Sequence, residues 1–182
     1  MKRCRPALLL ALALLLAPSL SRSPLLAQQA PAAPPDSALA TPEATVRELY
    51  RLVSFRAGER TDWAKVRSLF LPQAVIFLRT SRTASAVFSL DGFIADFVRF
   101  DSSAVFAQNG FTETIMRMRP TVFREIAHVL VLYEAQVTNV QRQPQRGVDS
   151  IHLIRRDGRW WVASIVNDIP TPDAPAPSEL LQ

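Results

Sequence analysis

The feature that most constrains the fold of this chain is the segment Gly147–Asp168, which reads GVDSIHLIRRDGRWWVASIVND. Two apolar runs flank Asp157-Gly158. A two-residue Asp-Gly loop between such runs is typical of a β-hairpin with a type I′ turn, because that turn needs φ > 0 at both central positions. We therefore predict a hairpin in which Arg156 faces Arg159 across the turn.

This pairing predicts two rows of side chains, one on each face of the hairpin. Neither row is polar enough to be left in water, so one must cover the core and the other must be covered by something else. The first row is Asp149, Ile151, Leu153, Trp160, Val162, Ser164 and Val166. The second row is Val148, Ser150, His152, Ile154, Trp161, Ala163, Ile165 and Asn167.

The first 27 residues predict a signal peptide for export to the periplasm or out of the cell. A basic start is followed by the unbroken apolar run 7–17, which is shorter than the roughly 20 residues needed to span a bilayer. We expect cleavage near Ala27 and no membrane attachment afterwards. The alternative is a retained signal anchor.

Loss of this segment changes the charge and cysteine arguments. Removing its four basic residues lowers the formal net charge from +5 to +1, so strong basicity is not a property of the mature domain. No aromatic-basic motif accompanies the remaining arginines, and nucleic-acid binding is not predicted. The single cysteine, Cys4, lies in the signal, so the mature chain has no disulfide or thiolate metal site.

Residues 28–41 are rich in proline and alanine, and residues 170–182 are rich in proline. These compositions predict a disordered linker and a disordered tail. The folded domain is therefore expected at residues 42–169.

The first part of this domain has helical patterns. Thr41 is a good N-cap, with proline at the first helical position, and Val46, Leu49, Tyr50 and Val53 recur at helical spacing. We expect Asp62 to cap a second helix, which Pro72 ends. Residues Ala74–Leu78 are expected to form a strand, and Ser89 is expected to cap a third helix. Loops are expected at residues 82–88 and 108–110.

The second part has extended patterns. Helices followed by meandering strands predict an α+β fold with an antiparallel sheet, in which Pro120 must sit at a bend or bulge. The predicted strands are Phe111–Met118, Phe123–Thr138, Gly147–Arg156 and Arg159–Asp168.

Several segments carry a family resemblance: ATVRELYRLVSF, DWAKVRSLF followed by AVIF, GFTETIM, IAHVLVLYEA and GVDSIHLIRRDGRWWVASI. With them the chain resembles the nuclear transport factor 2-like superfamily, in its SnoaL-like branch, over roughly residues 41–168. The resemblance implies N-terminal helices packed in a strongly curved antiparallel sheet, as a cone-shaped α+β barrel with a pocket at its open end. Such folds host ketosteroid isomerase-like enzymes, dehydratases, hydrolases and non-enzymatic binders, so the fold alone does not name the activity.

The resemblance also implies that Ile151, Leu153, Trp160 and Val162 face inward, which places Asp149 on the pocket side. The outer row, with His152, Trp161 and Ile165, would then be a large apolar patch. We predict a homodimer through this outer sheet face. The alternative is that the C-terminal tail or the loop 82–88 covers it.

Polar residues inside apolar strands are the site candidates. A buried acid with a raised pKa could abstract a proton, and a histidine or a tyrosine could polarise a carbonyl; Tyr50 is a further hydroxyl. Each candidate has a structural alternative: backbone or arginine bonds for Asp149, an ion pair with Arg117 for Glu113, and a core or interface position for His128. The predicted cavity residues are Glu113, His128, Tyr133, Asp149 and Trp160.

The sequence lacks the residues that a metal site, a serine hydrolase or a nucleotide-binding site would need. Only His128 and His152 are available as imidazole ligands and no HExxH motif occurs, so no metal is expected. GxSxG, P-loop and GxGxxG motifs are absent as well, and no cofactor is expected.

The sequence therefore predicts an exported protein that holds a small, largely apolar molecule in the cone cavity, as a homodimer. The first alternative is a cofactor-free enzyme of the isomerase or dehydratase type, with Asp149 or Glu113 as base and His128 or Tyr133 as partner. The second is a protein-interaction module that uses the outer sheet face. No catalytic set of the enzyme members can be matched residue by residue, so no catalytic role is assigned.

Overall fold

The computed structural model describes residues 39–81 and 83–182. The predicted signal peptide and most of the predicted linker lie outside the described residues. The helices are α1 (Pro42–Val53), α2 (Trp63–Arg67), α3 (Leu90–Asp101) and α4 (Ala104–Asn109). The strands are β1 (Phe70–Arg79), β2 (Ser85–Ser89), β3 (Phe111–Phe123), β4 (Ile126–Val137), β5 (Gln145–Arg156) and β6 (Arg159–Asp168), and a 3-10 turn follows at Ser178–Leu180.

The strands form one curved six-stranded sheet in the order β2-β1-β6-β5-β4-β3. The α+β fold class is confirmed. The sheet is mixed rather than wholly antiparallel, because β1 runs parallel to β6 while the other neighbours are antiparallel. Sequence patterns give no direction for two strands that are far apart in the chain, so this pair was not foreseen. None of the helices in the described part of the chain has the length and apolarity to cross a bilayer.

Helix α1 forms as its sequence predicts and lies on the inner face of the sheet. The Thr41 hydroxyl accepts a hydrogen bond from the Ala44 N–H at 3.1 Å, which satisfies one of the free donors of the first turn. Val46, Leu49, Tyr50 and Val53 are all buried. They join one core with inward residues of α2, α3 and the strands, of which Val66, Ile76, Val129, Val131, Ile151 and Val162 are wholly buried.

Several element boundaries differ from the predicted ones. Helix α2 ends at Arg67, and Pro72 lies inside β1, where the pairing with β6 is interrupted between Phe70 and Val75 and no ladder donor is needed. Residues 85–89, expected in a loop, form the edge strand β2, and the expected loop 108–110 largely belongs to α4. Strand β3 continues through Pro120, which an edge strand tolerates.

The hairpin forms at the predicted turn. Asp157 and Gly158 have φ of 56° and 79°, and Arg156 lies opposite Arg159. The register then shifts by one residue: Leu153 pairs with Val162, but His152 pairs with Ser164, which leaves Ala163 as a β-bulge.

This bulge reverses the inward and outward positions in the second half of β6. Ile165 and Asn167 are buried, at 5% and 6% exposure, whereas Val166 is 45% exposed. The predicted rows are therefore wrong for Ser164, Ile165, Val166 and Asn167, because one extra residue changes the parity of a strand.

The C-terminal tail covers part of the outer sheet face. The Arg119 guanidinium donates to the Glu179 carbonyl at 2.7 Å, and Leu180 is only 2% exposed. Arg119 points outward because its neighbour Met118 packs against the core. The segment around Glu179 and Leu180 is therefore not disordered as we expected. It covers part of the outer face for which we predicted a homodimer. The homodimer stays a prediction.

We expect Leu180→Ala to lower the free energy of unfolding by about 2 kcal/mol, the lower end of values for a buried leucine, because the tail packs on one side only. The matched control is Leu181→Ala, since Leu181 is 57% exposed and its loss should cost less than about 0.5 kcal/mol. Urea denaturation of both variants measures the difference. Equal stabilities would show that the tail does not dock in solution.

Candidate functional site

A cavity lies between the inner face of the sheet and helices α1 and α3. Its inner compartment has a volume of about 140 Å³, and an adjoining outer compartment has about 260 Å³. The two share Arg79, Phe97, Glu113 and Tyr133. The inner compartment is lined by Tyr50, Val53, Leu78, Arg79, Phe93, Phe97, Glu113, Tyr133, Asp149, Ile165 and Asn167.

Asp149 is held at the inner end by two uncharged donors. The Tyr50 hydroxyl donates to its Oδ2 at 2.6 Å, and the Asn167 amide donates to its Oδ1 at 2.7 Å. Burial raises the pKa of Asp149 to about 6, while the two donors oppose this rise. The alternative that we gave for Asp149, backbone or arginine bonds, is wrong: side-chain donors from α1 and β6 satisfy it.

Tyr133 presents a hydroxyl to the cavity. Its oxygen accepts a hydrogen bond from the Asn167 amide at 3.0 Å, and no residue in the described ranges is recorded as accepting its proton. The Tyr133 ring stands edge-on to that of Tyr50, with centroids 5.5 Å apart. Burial, followed by the charges of Asp149 and Glu113, raises the pKa of Tyr133 well above its usual value. Tyr133 is therefore a hydrogen-bond donor that stays protonated.

Glu113 also points into the cavity, but its carboxyl group has no recorded hydrogen bond or ion pair within the described ranges. Burial, followed by the charge of Asp149, raises its pKa to about 8. The backbone N–H of Glu113 donates to the Ser54 hydroxyl at 2.9 Å, and that hydroxyl donates to the Tyr50 carbonyl at 2.8 Å. Strand β3 is thus fixed to the end of α1, and the carboxyl group of Glu113 lines the cavity.

The ion pair between Glu113 and Arg117 is absent from the described contacts. The register of β3 against β4 shifts between Ile115 and Arg117. This irregularity turns Arg117 outward, so the two residues do not share a face, and the alternative that we gave for Glu113 is wrong.

The two carboxyl groups differ in their environment and therefore in their protonation. At neutral pH Glu113 is mostly protonated and Asp149 mostly ionised, given pKa values of about 8 and about 6. Pairs of titratable groups with separated pKa values are typical of acid–base sites. No three His, Cys, Asp or Glu side chains in the described part of the chain converge as metal ligands.

The structure brings Glu113, Tyr133 and Asp149 together but leaves two other candidates outside the cavity. His128 lies on the outer face, since its neighbours Ala127 and Val129 point inward; it bonds to the Ser150 hydroxyl at 2.9 Å. Trp160 faces inward but is a core residue at 4% exposure, next to the hairpin turn and away from Asp149. Their placement in the cavity is therefore wrong.

Two functional positions were missed from the sequence. Asn167 was placed on the outer row because the bulge has no clear sequence signal. Gly147 lies opposite Tyr133 in the β4–β5 ladder, and a Cβ atom there would overlap the Tyr133 ring. A glycine within a strand is a signal of such a close approach, and it could have been used.

Comparisons with known proteins identify the fold. No protein-family model and no curated protein matches the chain by sequence. A nuclear transport factor 2-like protein of unknown function from Pseudomonas putida has a TM-score of 0.57 and 11% identity, covering 74% of this chain and 89% of the other.

Two further solved structures are named for enzymes. A candidate scytalone dehydratase from Novosphingobium aromaticivorans has a TM-score of 0.52 and 12% identity, covering 71% of this chain and 81% of that one. A candidate ketosteroid isomerase from Shewanella frigidimarina has a TM-score of 0.50 and 17% identity, covering 68% and 91%. At these identities the likeness shows the nuclear transport factor 2-like fold alone, and the fold expectation is confirmed.

We expect Gly147→Ala to destabilise the protein by about 1–3 kcal/mol, because the added methyl group overlaps the Tyr133 ring. The cost should shrink in a Tyr133→Leu background, which makes the two changes non-additive. Gly92→Ala is the matched control, since its Cβ would meet its nearest atom at an ordinary 3.4 Å. Urea denaturation of the four proteins of the cycle measures the coupling, and additive costs would contradict the contact.

Stability should fall as the pH rises from 6 to 8, because folded Glu113 keeps a proton that the unfolded chain, with a pKa near 4.5, has already lost. Glu113→Gln cannot ionise and should lose about 2 kcal/mol less across this window. Urea titrations of both proteins at each pH measure the difference, and comparing the two cancels the titrating groups that do not interact with Glu113. Parallel pH profiles would show that Glu113 titrates normally.

Proposed function

We propose that this protein, with its nuclear transport factor 2-like fold, binds a small, largely apolar molecule in the cavity and moves a proton on it without a cofactor. The observation that carries the proposal is the Glu113 carboxyl group, which faces the cavity beside the Tyr133 hydroxyl and has no recorded protein partner. A buried acid without a partner costs stability, and a role in binding or proton transfer accounts for its position.

The walls of the cavity support an apolar ligand. Val53, Leu78, Phe93 and Phe97 line the inner compartment together with Ile165. Compartments of about 140 and 260 Å³ suit a molecule of one or two rings. Passive binding, our first expectation from the sequence, accounts for these walls but not for Glu113. The enzyme alternative accounts for both.

The arrangement suits proton transfer next to a carbonyl group. Tyr133 donates its hydroxyl proton in a hydrogen bond to the ligand carbonyl oxygen. The ionised form of Glu113 takes a proton from the adjacent carbon, and the electrons of that C–H bond pass into an enolate that the Tyr133 hydrogen bond stabilises. Glu113 then returns the proton to the far carbon of a conjugated system, which completes an isomerisation.

Dehydration follows from the same first step. When the enolate carries a hydroxyl group on the next carbon, the C–O bond breaks, the leaving oxygen takes the proton from Glu113, and water departs. In both reactions Asp149 acts through Asn167, whose amide binds the Tyr133 oxygen and leaves the Tyr133 proton for the ligand. Asp149 is thus a positioning residue.

The test uses 3-cyclohexen-1-one, whose isomerisation to the conjugated 2-cyclohexen-1-one is followed by ultraviolet absorbance. We expect wild-type protein to accelerate it, with a rate that rises between pH 6 and pH 8 as Glu113 ionises. Glu113→Gln should lower the rate by about 100-fold or more, the usual contribution of a general base. Glu125→Gln is the matched control, because Glu125 is an exposed acid that pairs with Arg155 at the far turn.

Binding of the ketone is measured in parallel by nuclear magnetic resonance. Binding without turnover would contradict proton transfer and favour the passive binder. Absence of both would contradict the proposal as a whole, as would an unchanged rate in Glu113→Gln.

A further inference from the structure

The rim of the outer compartment is basic. Arg79 and Arg142 both line it, and both also line an adjoining surface groove. Glu113 is the only acidic residue among the described residues that line the outer compartment, and it lies at the inner end and is mostly protonated at neutral pH. The open end of the cavity therefore carries positive charge.

We infer that the molecule held in this cavity is a small cyclic carboxylate, whose ring lies in the outer compartment and whose anionic group reaches the arginines at the rim. This inference rests on the proposed function and names the substrate class for the same site.

The aromatic walls account for the ring. Phe100 and Phe111 stand edge-on with centroids 5.1 Å apart, and Phe106 stands edge-on to Phe111 at 5.8 Å. All three side chains line the outer compartment. Aromatic side chains arranged in this way bind a flat apolar ring by contact area and by edge-to-face packing.

The arginines account for the anion. Arg142 is exposed, and its guanidinium has no recorded hydrogen bond or ion pair with another described residue. Arg79 is bound to Asp168 at 3.1 Å, and Asp168 is 73% exposed, so this contact faces water. A guanidinium group binds a carboxylate through two parallel hydrogen bonds, which gives it a preference for this anion.

The order of groups along the cavity sets the order of groups in the ligand. Tyr133 and Glu113 line both compartments, and so does Arg79, whereas Phe100, Phe106, Phe111 and Arg142 line the outer compartment only. Arg142 is the exposed member of this set and marks the open end. A molecule that fits has its reacting carbon at one end of a ring and its carboxylate at the other. A cationic substrate is disfavoured by the same rim.

The probes are 2-naphthoate and 2-naphthamide, which share one shape and differ in charge. We expect wild-type protein to bind naphthoate about two- to fivefold more tightly in isothermal titration at low salt, as for an exposed ion pair. Arg142→Gln should reduce this preference, with Arg79 supplying what remains, and leave the affinity for naphthamide unchanged. Raising the salt concentration should reduce the preference in the wild-type protein, because screening weakens exposed charge pairs.

Arg146→Gln is the matched control, since Arg146 is an exposed arginine that pairs with Glu134 and does not line the cavity compartments. It should keep the preference. Equal affinities for the two probes in wild-type protein, or an unchanged preference in Arg142→Gln, would overturn the inference while leaving an apolar binding cavity in place. Failure of both probes to bind would instead count against the proposed function.

Discussion

The buried carboxylate of Asp149 is the constraint on which the arrangement of this domain depends. A buried charge without partners costs several kcal/mol, and its partners here come from distant parts of the chain. Tyr50 reaches it from α1 and Asn167 reaches it from β6, while Asp149 itself stands on β5. Helix α1 therefore cannot slide or rotate on the sheet without leaving a buried group unsatisfied, and the same contacts that fix the helix also form the inner end of the cavity.

Glu113 shows the opposite solution to the same physical problem. It lines the same compartment as Asp149 but has no recorded donors, so it keeps its proton instead of its charge. The Asp149 carboxylate is thus held by hydrogen bonds from its neighbours, whereas the Glu113 carboxyl group has none from the described residues. Tyr133 lines the same compartment, with its oxygen bound by Asn167 and no described residue accepting its proton.

Local signals in the sequence predicted much of this structure. The cap and the apolar face of α1 and the Asp157-Gly158 turn follow from spacing and turn chemistry, which act over a few residues. The fold class follows from the order of helical and extended patterns, and the inward position of Asp149 was implied by the family resemblance. Features that depend on pairing between strands were not accessible in this way. The irregularities near Met116 and Ala163 moved Arg117 and Asn167 to the opposite faces of their strands. Strand β4 is apolar on both faces, so the alternation of its residues did not show whether His128 points inward or outward. The existence of a cavity was predicted, but its hydrogen-bond network can be derived only when the pairing register of the strands is known.

The bulge at Ala163 has a consequence for comparing this chain with its homologues. The extra residue sets which half of β6 faces the cavity. If β6 kept its length but paired with β5 without the bulge, Val166 would lie opposite Asp149, and the carboxylate would lose its amide donor. Removal of Ala163 would instead keep Asn167 opposite Asp149, because Ser164 would then follow Val162 in a regular ladder. In an alignment, a one-residue gap at Ala163 is therefore compatible with the same inner site, even though it changes the length of the strand.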